Sequence, residues 1–102
     1  MKVPKRIKVG RKYYAVRSVA TVNYMAHGAR GCIDPWDQLI EIAKRHRITG
    51  QAFSDEVWYN TFWHETVHAI LHDMGHEALF KNEAFVQGMA DRLCGVFKSA
   101  EF

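Results

Sequence analysis

The chain has 102 residues, enough for one domain and too few for two. Apolar residues make up 48% and charged residues 25%, a balance that excludes a disordered polar chain. Aromatic residues, 13% of the chain with three Trp, give bulk to a core of modest size. No apolar run reaches membrane-spanning length, and no apolar h-region follows the basic start, so neither a spanning helix nor a signal peptide is expected. Two cysteines, Cys32 and Cys94, are too few for a disulfide framework, which favours a reducing, cytoplasmic setting.

The net charge of +3 hides a division. Residues 1–33 hold eight cations (Lys2, Lys5, Arg6, Lys8, Arg11, Lys12, Arg17 and Arg30) and no carboxylate. Residues 34–102 hold six basic against eleven acidic side chains, a net of −5. One reading of the basic part is a solvated hairpin; the other is a contact surface for nucleic acid or a protein partner.

Residues 5–9 and 12–19 are rich in Val, Ile and Tyr and flank Gly10-Arg11, the pattern of a β-hairpin with a tight turn at Gly10. Residues 20–28 have no clear period and read as a connection. The stretch from Ala29 to Ala43 admits two readings. Asp34-Pro35 resembles an N-cap and N1, with Trp36, Leu39, Ile40 and Ala43 at helical spacing. Alternatively, strand Ala29–Ile33 and strand Gln38–Ala43 flank an Asp-Pro-Trp-Asp turn. Lys44 to Phe53 is a polar loop containing Gly50.

Ser54 or Asp55 can cap a helix running to about Met74, with Gly75 as its C′ residue. Trp63, Val67, Ile70, Leu71 and Met74 form its apolar stripe. A second helix is predicted over Asn82 to Ser99, with Val86, Ala90, Leu93 and Phe97 as its stripe. Gly88 and Gly95 weaken that helix, each by up to about 1 kcal/mol relative to Ala, and invite a close helix–helix approach.

His64-Glu65-Thr66-Val67-His68 is an H-E-x-x-H motif inside the first predicted helix. Positions i and i+4 share one helical face, so two imidazoles can converge on one tetrahedral metal ion. Glu65, on the neighbouring face, can reach a metal-bound water and take its proton. With six His and six Glu in the chain, chance alone gives this motif in about 2% of such sequences.

A third protein ligand is required, because catalytic zinc keeps three plus a water. The metzincin extension fails, since Leu71 and Met74 stand where Gly and His would be needed. His72 extends the row His64-His68-His72, but three ligands on one straight helix span about 12 Å, too far for one ion. His76 is a weaker candidate as ligand and could instead polarise a substrate. The second helix offers Glu83, Gln87 and Asp91. A plain antiparallel helical hairpin would set Gln87 level with His68, whereas Glu83 brings the better zinc ligand, a carboxylate. Glu83 is preferred, and the loop from Gly75 to Lys81 must then run back along the first helix. Asp91 and His72 remain as substitutes. No residue is singled out to stabilise an oxyanion; His72, His76 and Tyr59 are all available.

His64-Glu65-Thr66-Val67-His68-Ala69-Ile70-Leu71, followed by Asn82-Glu83-Ala84-Phe85-Val86, resembles the gluzincin branch of the zincin metallopeptidases. More closely, it is similar to small phage and bacterial proteins related to the ImmA/IrrE-type metallopeptidases. Gly31-Cys32-Ile33-Asp34 through Ile40-Glu41-Ile42, ahead of Phe62-Trp63-His64-Glu65, also looks like theirs. There that stretch forms strands, which selects the second hairpin over the helix. The resemblance covers about the last three quarters of the chain. It implies an α+β fold: a small antiparallel sheet of two hairpins packed on the H-E-x-x-H helix and a C-terminal helix, all in one minimal zincin-like domain over residues 1–102. It also implies Zn²⁺ on His64, His68 and Glu83, with Glu65 as general base. A peptide or protein substrate could add as a strand to a sheet edge near the cleft, and Gln38–Ala43 is the expected edge. The larger relatives' second domain has no counterpart here.

The function expected is a zinc-dependent peptidase. The alternative is a non-catalytic zinc-containing module that binds nucleic acid or a protein through the basic hairpin. The two differ in what Glu65→Gln removes and in whether binding is salt-sensitive.

Overall fold

The computed structural model describes residues 3–22 and 30–102. Most of the connection expected over residues 20–28, and Ala29 at the start of an expected strand, lie outside the described residues. The order of elements is β1 (Arg6–Val9), β2 (Lys12–Val19), β3 (Gly31–Asp34), β4 (Leu39–Ala43), α1 (Asp55–Asp73), α2 (Glu77–Phe80) and α3 (Glu83–Ser99).

Both expected hairpins form. Gly10 has φ +60° at the first turn position, and Val9 pairs with Lys12, the pattern of a type II′ turn. In the second hairpin Asp34 Oδ1 accepts from the amides of Trp36 and Asp37 at 3.0 and 3.1 Å. That Asx turn, closed by Gln38 at φ +52°, uses the Asp-Pro-Trp-Asp sequence as a bend and not as a helix cap.

The sheet is mixed, in the order β1-β2-β4-β3. The expectation of an antiparallel sheet therefore holds within each hairpin and fails between them. β2 and β4 run parallel, with Val16 opposite Ile40 and Ser18 opposite Ile42. The chain reaches β3 at the far edge before β4 returns beside β2, so β4 takes the direction of β2. A second correction follows: β4 is interior, and the free edge beside the helices is β3.

Alternation along the strands buries Tyr14, Val16, Ile40 and Ile42 on one face, where they pack with Trp58, Phe62 and Ala69 of α1. Trp58 also donates its indole N–H to Ser18 Oγ at 3.0 Å. On the other side α1 buries Val67 and Leu71 against Val86 of α3, with Leu79, Phe80 and Leu93 around them. α1 is thus a central helix with two packed faces. This explains why a single stripe described it poorly: Ile70 and Met74 are exposed, while Trp58, Phe62 and Ala69 are core.

The helix ends follow the expected chemistry. Ser54 Oγ accepts from Val57 N at 3.2 Å. At the other end the amides of Gly75 and His76 bond to the carbonyls of His72 and Leu71, a Schellman closure with Gly75 at φ +75°. Asn82 caps α3 by accepting from Phe85 N at 3.0 Å. The glycines of α3 depart from expectation. A Cβ on Gly88 would meet only the Arg92 guanidinium, at 3.5 Å, and one on Gly95 would meet nothing within 4 Å. Neither glycine lets another helix approach.

Candidate metal centre

His64 and His68 lie one turn apart on α1 with ring centroids 4.9 Å apart. The chain then turns at Gly75, makes the single helical turn α2 and enters α3 at Asn82. That detour is the run-back that a Glu83 ligand requires. It places the Glu83 carboxylate at the first position of α3, where the helix dipole favours an anion. Glu83 Oε2 lies 2.9 Å from His64 Nε2, and Oε1 lies 3.1 Å from His68 Nε2. Glu83 is a rim residue, its side chain 68% exposed, and not part of the buried stripe of α3.

Each of the three residues offers a ligand atom, and these atoms lie within 4.8 Å of one another; among the described residues His64, His68 and Glu83 are the group that could hold a metal ion. Atoms bound to a tetrahedral ion at ~2.1 Å stand about 3.4 Å apart, so the set needs only small adjustments to fit. Two imidazoles and one carboxylate suit a borderline divalent cation.

A relay fixes the orientation of His64. Gln87 Nε2 donates to Asp91 Oδ1 at 2.7 Å and to Asn60 Oδ1 at 2.9 Å. Asp91 also accepts from Asn60 Nδ2 at 2.9 Å. Since a carboxylate only accepts, the Gln87 amide nitrogen must face it. Gln87 Oε1, 2.8 Å from His64 Nδ1, then accepts the proton on that nitrogen. His64 Nε2 is the nitrogen left to face Glu83, where either a proton or a cation must lie between it and the carboxylate. The two amide donors also hold the Asp91 carboxyl below its ordinary pKa. Gln87 and Asp91 thus orient His64 and lie outside the group that could hold a metal ion. Asn60, one turn before His64, had no signal in the sequence beyond its place on the same helix.

His68 is buried, and burial lowers its pKa, with Glu83 opposing. That direction favours the neutral imidazole, the form that can bind a metal ion. Its ring meets Phe80 edge-on at 4.8 Å between centroids. Nδ1 of His68 is buried without a hydrogen bond of good geometry, although the Phe80 backbone acts weakly on the same ring.

Glu65 projects from α1 toward the sheet and is 5% exposed. Burial, then the charge of Glu83, raises its pKa to about 8. It packs beneath β3: a Cβ on Gly31 would stand 3.3 Å from Glu65 Cγ and 2.7 Å from Thr61 Cγ2. Gly31 thus lets the edge strand lie close against the motif helix, a requirement that the sequence did not reveal.

The other proposed residues fall elsewhere. His72 is 3.6 Å from Glu77 and edge-on to Trp36, outside the ligand group. His76 is exposed at the N-cap of α2. Tyr59 packs on Trp58 and lines a groove with Trp63, Cys94 and Phe97. Among the described residues no helix is long and apolar enough to cross a membrane. Comparison with protein-family models, curated proteins and solved structures finds no match to this chain.

Proposed function

We propose that the chain is a minimal zinc-dependent peptidase of the zincin type, acting on extended peptides. The observation that carries this reading is the convergence of His64, His68 and Glu83 from two helices, with the buried carboxyl of Glu65 on the same motif. The set discriminates between roles. His64 and His68 offer ring nitrogens, Glu83 offers charge, and Glu65 stays out of the ligand group as a proton carrier.

When bound there, a zinc ion supplies Lewis acidity and brings the pKa of coordinated water toward ~7. The chain's own part is proton handling and positioning. Glu65, with a pKa raised to about 8 by burial and Glu83, holds its proton at neutral pH and must first ionise to take a proton from water and return it to a leaving amine. A cation held by Glu83 offsets one of the two causes of that raised pKa, so Glu65 ionises more readily in the loaded site. The relay through Gln87 keeps His64 in one tautomer throughout.

The substrate reading rests on the edge of the sheet. β3 has an unpaired side next to the motif helix, among the described residues, and four residues of backbone there can pair with an extended peptide. Glu65 lies beneath β3 at Gly31, so a peptide paired on that edge would lie beside the motif helix.

The test is hydrolysis of a mixed peptide library by the zinc-loaded chain, followed by mass spectrometry. Cleavage lost in Glu65→Gln, with zinc content unchanged, is the expected result. Cleavage that persists in Glu65→Gln at the native rate overturns the assignment of Glu65, and a zinc-loaded chain that cleaves no peptide overturns the peptidase reading.

A further inference from the structure

The described helices cover one face of the sheet and leave the other open. β1 and β2 present Arg6, Lys8, Tyr13, Ala15 and Arg17 on that open face, all of them exposed. Lys8 is directly opposite Tyr13 in the register, and Arg6 is its diagonal neighbour. The Arg6 guanidinium lies 4.3 Å from the Tyr13 ring centroid and the Lys8 ammonium 5.6 Å. Arg11 in the turn extends the cationic row, whereas Lys12 pairs with the buried Val9 and starts from the helix-covered face. From Tyr13 to Arg17 the row runs about 14 Å.

These cations are not neutralised by the fold. Among the described residues, the ion pairs involve His64, His68 and His72 with glutamates, and Lys98 with Glu56; none involves Lys5, Arg6, Lys8, Arg11, Lys12 or Arg17. Two carboxylates share this face. Glu41 is opposite Arg17 and beside Cys32, and Asp34 is occupied by the turn amides. Asp73 of α1 lies against Gly10 at the turn, so the net excess of positive charge on this face sits on β1, at Arg6 and Lys8.

We propose that this face binds single-stranded nucleic acid, with a base stacked at the Arg6–Tyr13 pair and phosphates held by Lys8, Arg11 and Arg17. Charge complementarity selects a polyanion. The half-exposed ring, already flanked by a guanidinium, selects one whose flat bases are unpaired and free to stack. An acidic protein would use the charge and leave the ring idle. A duplex presents no open base face to it. An anionic membrane would want apolar neighbours, and Ala15 is the only other apolar residue exposed here on β1 and β2. The face is on the opposite side of the sheet from α1, so the proposal stands independently of the metal centre.

The experiment measures fluorescence anisotropy of a labelled twelve-nucleotide deoxythymidine strand with the full chain at two salt concentrations. With three or four phosphates contacted, a fourfold rise in salt weakens binding about 20- to 50-fold. Tyr13→Ala weakens it about fivefold or more, while Tyr13→Phe, which keeps the stacking ring, stays within about twofold. Replacing both Lys8 and Arg11 with Gln reduces the log–log salt slope by about 1.4. The salt slope of the unaltered chain needs no variant, so it stands even if one fails to fold. Absence of salt-dependent binding overturns the proposal. So does Tyr13→Ala binding as tightly as the parent, or a duplex, polyglutamate or phosphatidylserine vesicle competing as well as the single strand. His64→Ala binding the strand as the parent does is the expected control; loss of binding there overturns the independence of the two faces.

Discussion

Glu65→Gln in the ion-free protein tests the electrostatics of the centre without any assay of activity. Glu65 is 5% exposed, and its pKa is raised from 4.5 to about 8, first by burial and then by Glu83. The folded state therefore binds a proton more tightly than the unfolded chain does. A raised carboxyl pKa makes no demand on stability below 4.5, and costs stability progressively as pH climbs through about 8. The full shift is worth about 5 kcal/mol at ~1.4 kcal/mol per unit, and about 3 kcal/mol of it falls between pH 5 and pH 8. That is a large share of the stability of about 5–15 kcal/mol usual for a small domain. Gln has the same shape and no titration, so the variant lacks this slope. The assay is urea unfolding of both proteins, stripped of metal with a chelator, at half-unit pH steps. His68, whose lowered pKa costs stability as pH falls below its ordinary value, contributes equally to both curves. Their difference isolates Glu65: Gln and Glu variants of similar stability near pH 5, and Gln more stable by about 3 kcal/mol near pH 8. Parallel curves would refute the claim that Glu65 is a buried, proton-holding carboxyl.

Other consequences are open to direct measurement. Gln87→Leu removes the acceptor for His64 Nδ1 and should lower zinc affinity about 10- to 100-fold in a chelator-competition titration; unchanged affinity would show that the relay is only structural. Gly88→Ala and Gly95→Ala meet open space or the tip of a flexible guanidinium, so each should raise stability by about 0.5–1 kcal/mol in urea unfolding; a loss would mean that something packs on that face of α3. Gly31→Ala drives a methyl to 2.7 Å from Thr61 Cγ2 and should destabilise by about 1–3 kcal/mol. Thr61→Ser, which deletes that methyl, should recover part of the loss in the double variant, as read from a mutant cycle.

Local chemistry carried most of what the sequence revealed. Ser54 and Gly75 bracket α1 because capping oxygens and a left-handed C′ position are short-range requirements. The two histidines share a face because helical geometry admits no other outcome. The choice between Glu83 and Gln87 was harder, because it turns on α2, a four-residue turn with no buried residue and no periodic signal. Without that turn Gln87 would stand level with His68; with it, Gln87 serves behind His64 instead. The parallel pairing of β2 and β4 was equally hidden, since it joins strands separated by a hairpin and a long connection. The same holds for the edge, which passed from β4 to β3 once the pairing was known. In α3, glycine suggests close packing, but a Cβ on Gly95 would meet open space and one on Gly88 only the tip of Arg92. At Gly31 the close approach is real, and nothing in the residues around it distinguished the two cases.

The central claim, that two imidazoles of α1 and the first carboxylate of α3 grip one ion, is tested most directly by zinc stoichiometry. The chain should be equilibrated with zinc, desalted and measured by mass spectrometry of the metal, beside His64→Ala, Glu83→Ala and His72→Ala. One equivalent is predicted in the parent and in His72→Ala, with loss in both His64→Ala and Glu83→Ala. A parent without stoichiometric zinc, or a Glu83→Ala variant that keeps its ion as tightly as the parent, would contradict the account.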